Sequence, residues 1–214
     1  MGFGIALLGY ACLILNEVGG AVLAAPLLAY GFFLASRLNR AFLYAAVSSL
    51  VLLPRGVVQL LYATGLINPA ETPALNTVTF FLYMAAWLAM SFFWLSAVKE
   101  IAAECGEKKL ERKAGNRLYF TAAFILFACF AKLIDMVAGS GVFGFSLVPI
   151  EYLLQYATII INILFLHTCF ILITSERQYE EDKHYIALEK AREREKRMKE
   201  QKEEAERLAR KKKK

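Results

Sequence analysis

The chain has 214 residues, 58% of them hydrophobic, with a mean hydropathy of +0.45 and a formal net charge of +6. Soluble domains are about 45 to 50% apolar, so this composition excludes an ordinary soluble globular protein and makes hydrocarbon the expected solvent for much of the chain. The basic residues gather in short connections and in the C-terminal segment, as the positive-inside rule predicts, and no basic patch interleaved with aromatics points to nucleic acid.

Residues 3–36 are apolar except at Asn16-Glu17-Val18-Gly19-Gly20. One helix over this stretch would be roughly 50 Å long, against a hydrocarbon core of about 30 Å. The turn residues therefore divide it into two short segments, 3–15 and 21–36, as a hairpin; a single long helix is the alternative. No Lys or Arg precedes the first apolar run and no small-x-small cleavage pattern follows it, so this segment is expected to be retained.

Arg37 and Arg40 bracket a basic connection, and residues 41–67 form the next span, with Pro54 and Arg55 in its middle. Pro54 removes a backbone hydrogen bond and predicts a kink. The turn over 68–73 carries an acid and no base and is expected outside; residues 77–98, thick with Phe, Tyr and Trp, return. The basic stretch 99–117 reads as the longest connection and as cytoplasmic. Residues 118–138 lead out, a glycine-rich turn over 139–144 follows, and residues 147–174 come back.

The fold class is thus all-α: a polytopic transmembrane helical bundle of six segments, or five if the first two are one helix, within residues 1–174. A charged cytoplasmic helical tail, 175–214, completes the chain. Its i,i+4 pairs, such as Glu193 with Arg197 and Glu203 with Arg207, each add about 0.2 to 0.5 kcal/mol to a solvated helix. Arg207, Arg210, Lys211, Lys212, Lys213 and Lys214 are candidates for anionic-lipid contact, at about 1 kcal/mol per basic residue near a surface.

No nucleophile and base stand in a recognisable constellation, no His/Cys/Asp/Glu spacing suits a metal, and no glycine-rich phosphate loop is present, so no catalytic residue, metal or cofactor is expected. Cys12, Cys105, Cys129 and Cys169 show no paired spacing. Trp87 and Trp94 read as lipid or interface anchors. Ala85 with Ala89, and Gly20 with Ala24, read as small-xxx-small packing sites.

Charges inside a membrane cost about 2.5 to 3.5 kcal/mol each on insertion scales, which makes them functional candidates. Counting from the segment boundaries places Arg55, Lys132, Asp135 and Glu151 at a common depth, roughly 20 to 25 Å from the cytoplasmic side, with Glu17 in the outer turn just above. Gln59 and Gln155 each follow a charged residue by four positions and share its helix face. These seven residues are expected to converge as a polar cluster in the outer half of the bundle, with Tyr62, Tyr152 and Tyr156 nearby, suited to a small polar solute or an ion. The alternative is a purely structural network of Arg55 with Glu151 and Lys132 with Asp135.

The runs Leu8-Gly9-Tyr10, Pro26-Leu27-Leu28-Ala29-Tyr30-Gly31 and Leu38-Asn39-Arg40 resemble those of small uncharacterised multi-spanning membrane proteins of Gram-positive bacteria. The resemblance covers about the first fifth of the chain. It departs at the start of the second segment, where a Pro-Asp pair is replaced by Glu17-Val18-Gly19-Gly20. It implies the hairpin and a bacterial inner membrane, and no activity.

The function expected from these observations is non-enzymatic binding or passage of a small polar solute or ion, in a multi-pass protein of the cell membrane with its C-terminus in the cytoplasm. The other reading is a scaffold or accessory subunit whose tail and 99–117 loop bind a cytoplasmic protein. The lipid bilayer is the expected partner in both, with a second copy of the chain or a cytoplasmic protein as further candidates.

Overall fold

The computed structural model describes residues 2–138 and 149–173. The tail 175–214, including the six candidate lipid-contact residues, and the turn 139–144 lie outside the described residues. Helices α1 (Gly2–Leu13), α2 (Ala21–Ala35), α3 (Ala41–Leu50), α4 (Leu53–Ala63), α5 (Pro73–Glu104), α6 (Lys108–Ala138) and α7 (Pro149–Ile173) account for most of them, and no strand occurs among them.

Residues 2–35 form two helices and not one. A 3₁₀ turn over Asn16–Val18 ends in Gly19 at φ 89°, a left-handed conformation that favours glycine, and Gly20 N–H donates to Leu15 O at 2.8 Å. The hairpin is antiparallel and close. A Cβ on Gly9 would lie 2.9 Å from Leu28 N, and one on Gly31 would lie 2.6 Å from Ala6 N, so glycine is what allows the two backbones to approach.

The span over 41–67 is interrupted where Pro54 predicts. Val51 and Leu52 N–H groups donate to Ser48 and Ser49 carbonyls at 3.2 and 3.1 Å, a tightening of the last turn of α3, and α4 restarts with Pro54 in its first turn. It ends at Ala63. Two helices are longer than hydropathy alone suggests: α5 covers 73–104 where 77–98 is expected, and α6 covers 108–138 where 118–138 is expected. The supposed 99–117 loop is therefore helix on both sides of a tight turn at Cys105-Gly106-Glu107. Gly106 has φ 77° and Glu107 N–H donates back to Ala102 O at 2.8 Å, a helix-ending motif that satisfies the last carbonyls. Charged residues end the apolar window without ending the helix, since a helix entering water keeps its own hydrogen bonds.

Among the described residues, four helices are long and apolar enough to cross a membrane: Ala41–Ala63 (taken as one), Pro73–Glu104, Lys108–Val137 and Pro149–Ile173. Their outward faces are apolar, with Leu126, Phe130 and Leu153 exposed to 68%, 62% and 72%. A soluble monomer does not present so much contiguous apolar surface. The chain is an integral membrane protein of α-helices.

Helix α5 is the centre of the packing. Trp94 is fully buried against Tyr10 of α1, Phe32 of α2 and Phe165 of α7, with ring centroids 6.1, 6.2 and 5.8 Å away, and its Nε1–H donates to the Tyr10 hydroxyl at 3.0 Å. Trp87, equally buried, meets Phe124 of α6 at 5.6 Å. Both tryptophans are core residues, not lipid or interface anchors; the dense aromatic contacts of α5 outweigh the usual interfacial preference of the indole. Likewise Ala85 is exposed and Ala86, Ala97 and Ala102 are the buried alanines of α5, whereas Ala24 is buried as expected.

Candidate functional site

The connections sort to the two ends of the bundle. Asn39 Nδ2 donates to Glu100 Oε2 at 2.7 Å, which puts the α2–α3 turn, with Arg37 and Arg40, beside the basic hairpin tip of α5 and α6. The opposite end holds the Asn16–Val18 turn, the α4–α5 loop and the beginnings of α5 and α7. A cavity of about 290 Å³ opens there, and Glu17, Arg55, Gln59, Lys132 and Glu151 all contribute to its wall.

Arg55 owes its position to the restart of the helix after Pro54, which turns its side chain toward the first turns of α5. Its Nη1 donates to Asn76 O at 3.0 Å, to Asn76 Oδ1 at 2.5 Å and to Thr79 Oγ1 at 3.3 Å. With the Gln59 amide oriented so that Oε1 faces the guanidinium, this oxygen accepts from Nη2 at 2.5 Å and from Nε at 3.2 Å. Phe80 lies 5.8 Å from the guanidinium carbon, within cation–π range. Every one of these partners is neutral. Of the five N–H groups of the guanidinium, one on Nη2 is left without an acceptor among the described residues.

The carboxylates stand apart from Arg55. Glu17, exposed in the 3₁₀ turn, accepts from Tyr152 OH at 3.3 Å, and Glu151 is half-buried in the first turn of α7. No ion pair joins Arg55 to Glu151 among the described residues, so that half of the expected neutralising network is absent. The other half forms: Lys132 Nζ lies 3.8 Å from Asp135 Oδ2. The cavity wall thus holds two cations, Arg55 and Lys132, and two anions, Glu17 and Glu151, with no pair among them in contact.

Asp135 and Gln155 do not line the cavity. Three residues along a helix is 300° of turn, enough to leave Asp135 more exposed than Lys132, at 44% against 25% for their side chains. Gln155 is buried one turn deeper than Glu151. Tyr62 and Tyr152 are on the wall as expected, and Tyr156 is not. Asn16, Asn76, Phe80 and Tyr83 join them. Asn16 Oδ1 and Tyr83 OH are buried there without a hydrogen-bond partner.

No protein-family model, curated protein or solved structure matches the chain. The chemistry of the cavity has to be read from its own side chains. Among the described residues no three His, Cys, Asp or Glu side chains come together as a metal-binding group. The arrangement offers charge recognition: a guanidinium with a spare donor, an ammonium, two carboxylates, and an unpartnered amide oxygen and hydroxyl.

Proposed function

We propose that the protein binds a small polar solute carrying both charges, such as a zwitterion, in this cavity, and that the cavity opens to the outside of the cell membrane. The observation that carries the reading is the state of Arg55. Its charge is held by neutral oxygens and an aromatic face and, among the described residues, is cancelled by no contacting carboxylate, although two carboxylates share the same cavity. A network that served only to lock helices together would bring those opposite charges into contact. Separated charges instead match a ligand whose acid group takes the spare Arg55 donor and whose amino group takes Glu17 or Glu151, with strong charge-assisted hydrogen bonds.

The basic connections at the opposite end support an inside position for that end, with six segments crossing or entering the bilayer, both termini inside, and a bacterial cell membrane as the setting that the N-terminal resemblance suggests. The experiment is thermal stabilisation of the purified protein by a panel of free amino acids and betaines, compared with simple carboxylates and amines. Stabilisation by zwitterions, lost in Arg55→Gln, is the expected result. Equal response of Arg55→Gln and the native chain refutes the site. Deletion of 175–214 leaves the response intact; its loss would favour the scaffold reading.

A further inference from the structure

Helix α6 packs on one face and is bare on the other. Leu110, Ala114, Ile125 and Ala128 are buried at helical spacing, and Phe124 beside them meets Trp87 of α5. On the opposite side every third or fourth residue from Arg112 to Val137 is exposed: Arg112, Asn116 and Tyr119, then Ala123, Leu126 and Phe130, and so on to the end of the helix.

This bare stripe changes chemistry once along its length, at Tyr119. From Tyr119, 78% exposed, to Val137, 86% exposed, it is apolar, and those 18 steps of the helix span about 27 Å, close to the roughly 30 Å of a hydrocarbon core. Tyr119 therefore stands at one boundary of the bilayer, where a phenol is at home, and its hydroxyl has no partner among the described residues. Beyond it come Asn116, Lys113 and Arg112, then Lys109 and Lys108, all exposed. Arg112 and Lys113 are about 9 to 10 Å outside Tyr119 along the helix, a distance that their long side chains cover by bending back to the headgroup phosphates.

The four cations are not neutralised from within. Lys132 with Asp135 is the one ion pair among the described residues, so none of Lys108, Lys109, Arg112 and Lys113 touches a carboxylate, although Glu107 and Glu111 are their neighbours in sequence. The acids of the hairpin tip are on other faces: Glu100 and Glu104 belong to α5, where Glu100 accepts from Asn39, and Glu111 is turned about 100° from Arg112 around α6. The positive charge is thus confined to the same strip of α6 that faces lipid below.

We infer that this strip binds an anionic phospholipid, with its phosphate on Arg112 and Lys113, its backbone oxygens near the Tyr119 hydroxyl, and its acyl chains along Ala123 and Leu126. The arginine fork and the Asn116 amide supply donors suited to phosphate oxygens, and Lys108 and Lys109 add attraction within a screening length of the surface. The inference is independent of the solute cavity at the other end of the bundle. It gives the basic hairpin tip a ligand and places that ligand on one side of the hairpin, not in an even collar around the protein.

The test is local lipid preference. Ala123→Trp puts a reporter on the stripe one turn inside Tyr119, and Leu133→Trp puts one on the same stripe in the other leaflet; native Trp87 and Trp94 are fully buried and out of reach of lipid. The full-length proteins are placed in nanodiscs of phosphatidylcholine and phosphatidylglycerol, with bromine on the chains of one lipid or the other, and contact is read as tryptophan quenching. A basic residue near a membrane surface favours anionic lipid by about fivefold, so Arg112 and Lys113 together are expected to give roughly a tenfold or greater preference for phosphatidylglycerol at Ala123→Trp, with a ratio near one at Leu133→Trp. The preference should fall to near one in Arg112→Gln with Lys113→Gln, survive Arg112→Lys, and survive deletion of 175–214. A ratio near one at Ala123→Trp, a preference that persists in the double variant, or one that disappears with the tail overturns the site.

Discussion

The neutral cradle of Arg55 sets up a comparison between two partners. Asn76→Ala removes the Oδ1 acceptor at 2.5 Å while leaving the Asn76 carbonyl in place. A hydrogen bond to a charged group is worth about 1.5 to 3 kcal/mol. Arg55 is only half-buried and cavity water replaces part of the loss, so the lower end, about 1.5 kcal/mol, is expected. Glu151→Gln removes a charge that touches no cation among the described residues, and its expected cost is below about 0.5 kcal/mol. Combined with Arg55→Gln in double-mutant cycles, Arg55 and Asn76 should couple by about 1 to 2 kcal/mol, above the roughly 0.6 kcal/mol average for neutral polar contacts in membrane proteins. Arg55 and Glu151 should couple by less than about 0.5 kcal/mol. The assay is reversible unfolding in mixed micelles or bicelles. The reverse order, with strong coupling to Glu151 and none to Asn76, would mean that a salt bridge holds these helices, and the argument from separated charges would be lost.

Packing makes further predictions for the same assay. A Cβ on Gly56 would fall 2.6 Å from Val22 N and 2.8 Å from Ala21 C, against backbone that cannot yield, so Gly56→Ala should cost about 1 to 3 kcal/mol by forcing α4 off α2. Gly115 has nothing within 4 Å of such a Cβ, and Gly115→Ala should stabilise α6 by up to about 1 kcal/mol, seen as a raised unfolding midpoint. Trp94→Ala removes a fully buried ring with three aromatic neighbours and should cost about 3 to 5 kcal/mol; Tyr10→Phe, which loses the acceptor for Trp94 Nε1 but keeps the ring, should cost about 1 to 2 kcal/mol.

Hydropathy made the helical membrane character legible, because runs of apolar residues longer than a globular core needs have one physical solution. The turn at Asn16-Glu17-Val18-Gly19-Gly20 and the break at Pro54 were readable for equally local reasons: a left-handed glycine and a missing N–H act on the chain wherever they stand. Counting depth along helices was enough to bring Glu17, Arg55, Gln59, Lys132 and Glu151 to one cavity. It failed for Asp135 and Gln155, where a further part-turn or full turn carries a residue away from the wall. Asn76 escaped because the apolar window starts at 77, whereas the helix starts at Pro73; Thr79 lies inside that window, where its hydroxyl does not stand out, and together they cradle Arg55. The signal was present as two polar residues at i,i+3 just below a helix-starting Pro. The tryptophans misled because a residue type's average location says little about one helix that everything else packs around.

The claim on which the account rests is that the cavity and the basic hairpin tip face opposite sides of a membrane. Cysteines placed at Ala70, beside the cavity end, and at Lys109, in the hairpin tip, are to be labelled in intact cells with a membrane-impermeant maleimide, in a chain carrying Cys105→Ser. The account predicts labelling of Ala70→Cys at once and of Lys109→Cys only after the membrane is opened. Labelling of both from the same side in intact cells would contradict it.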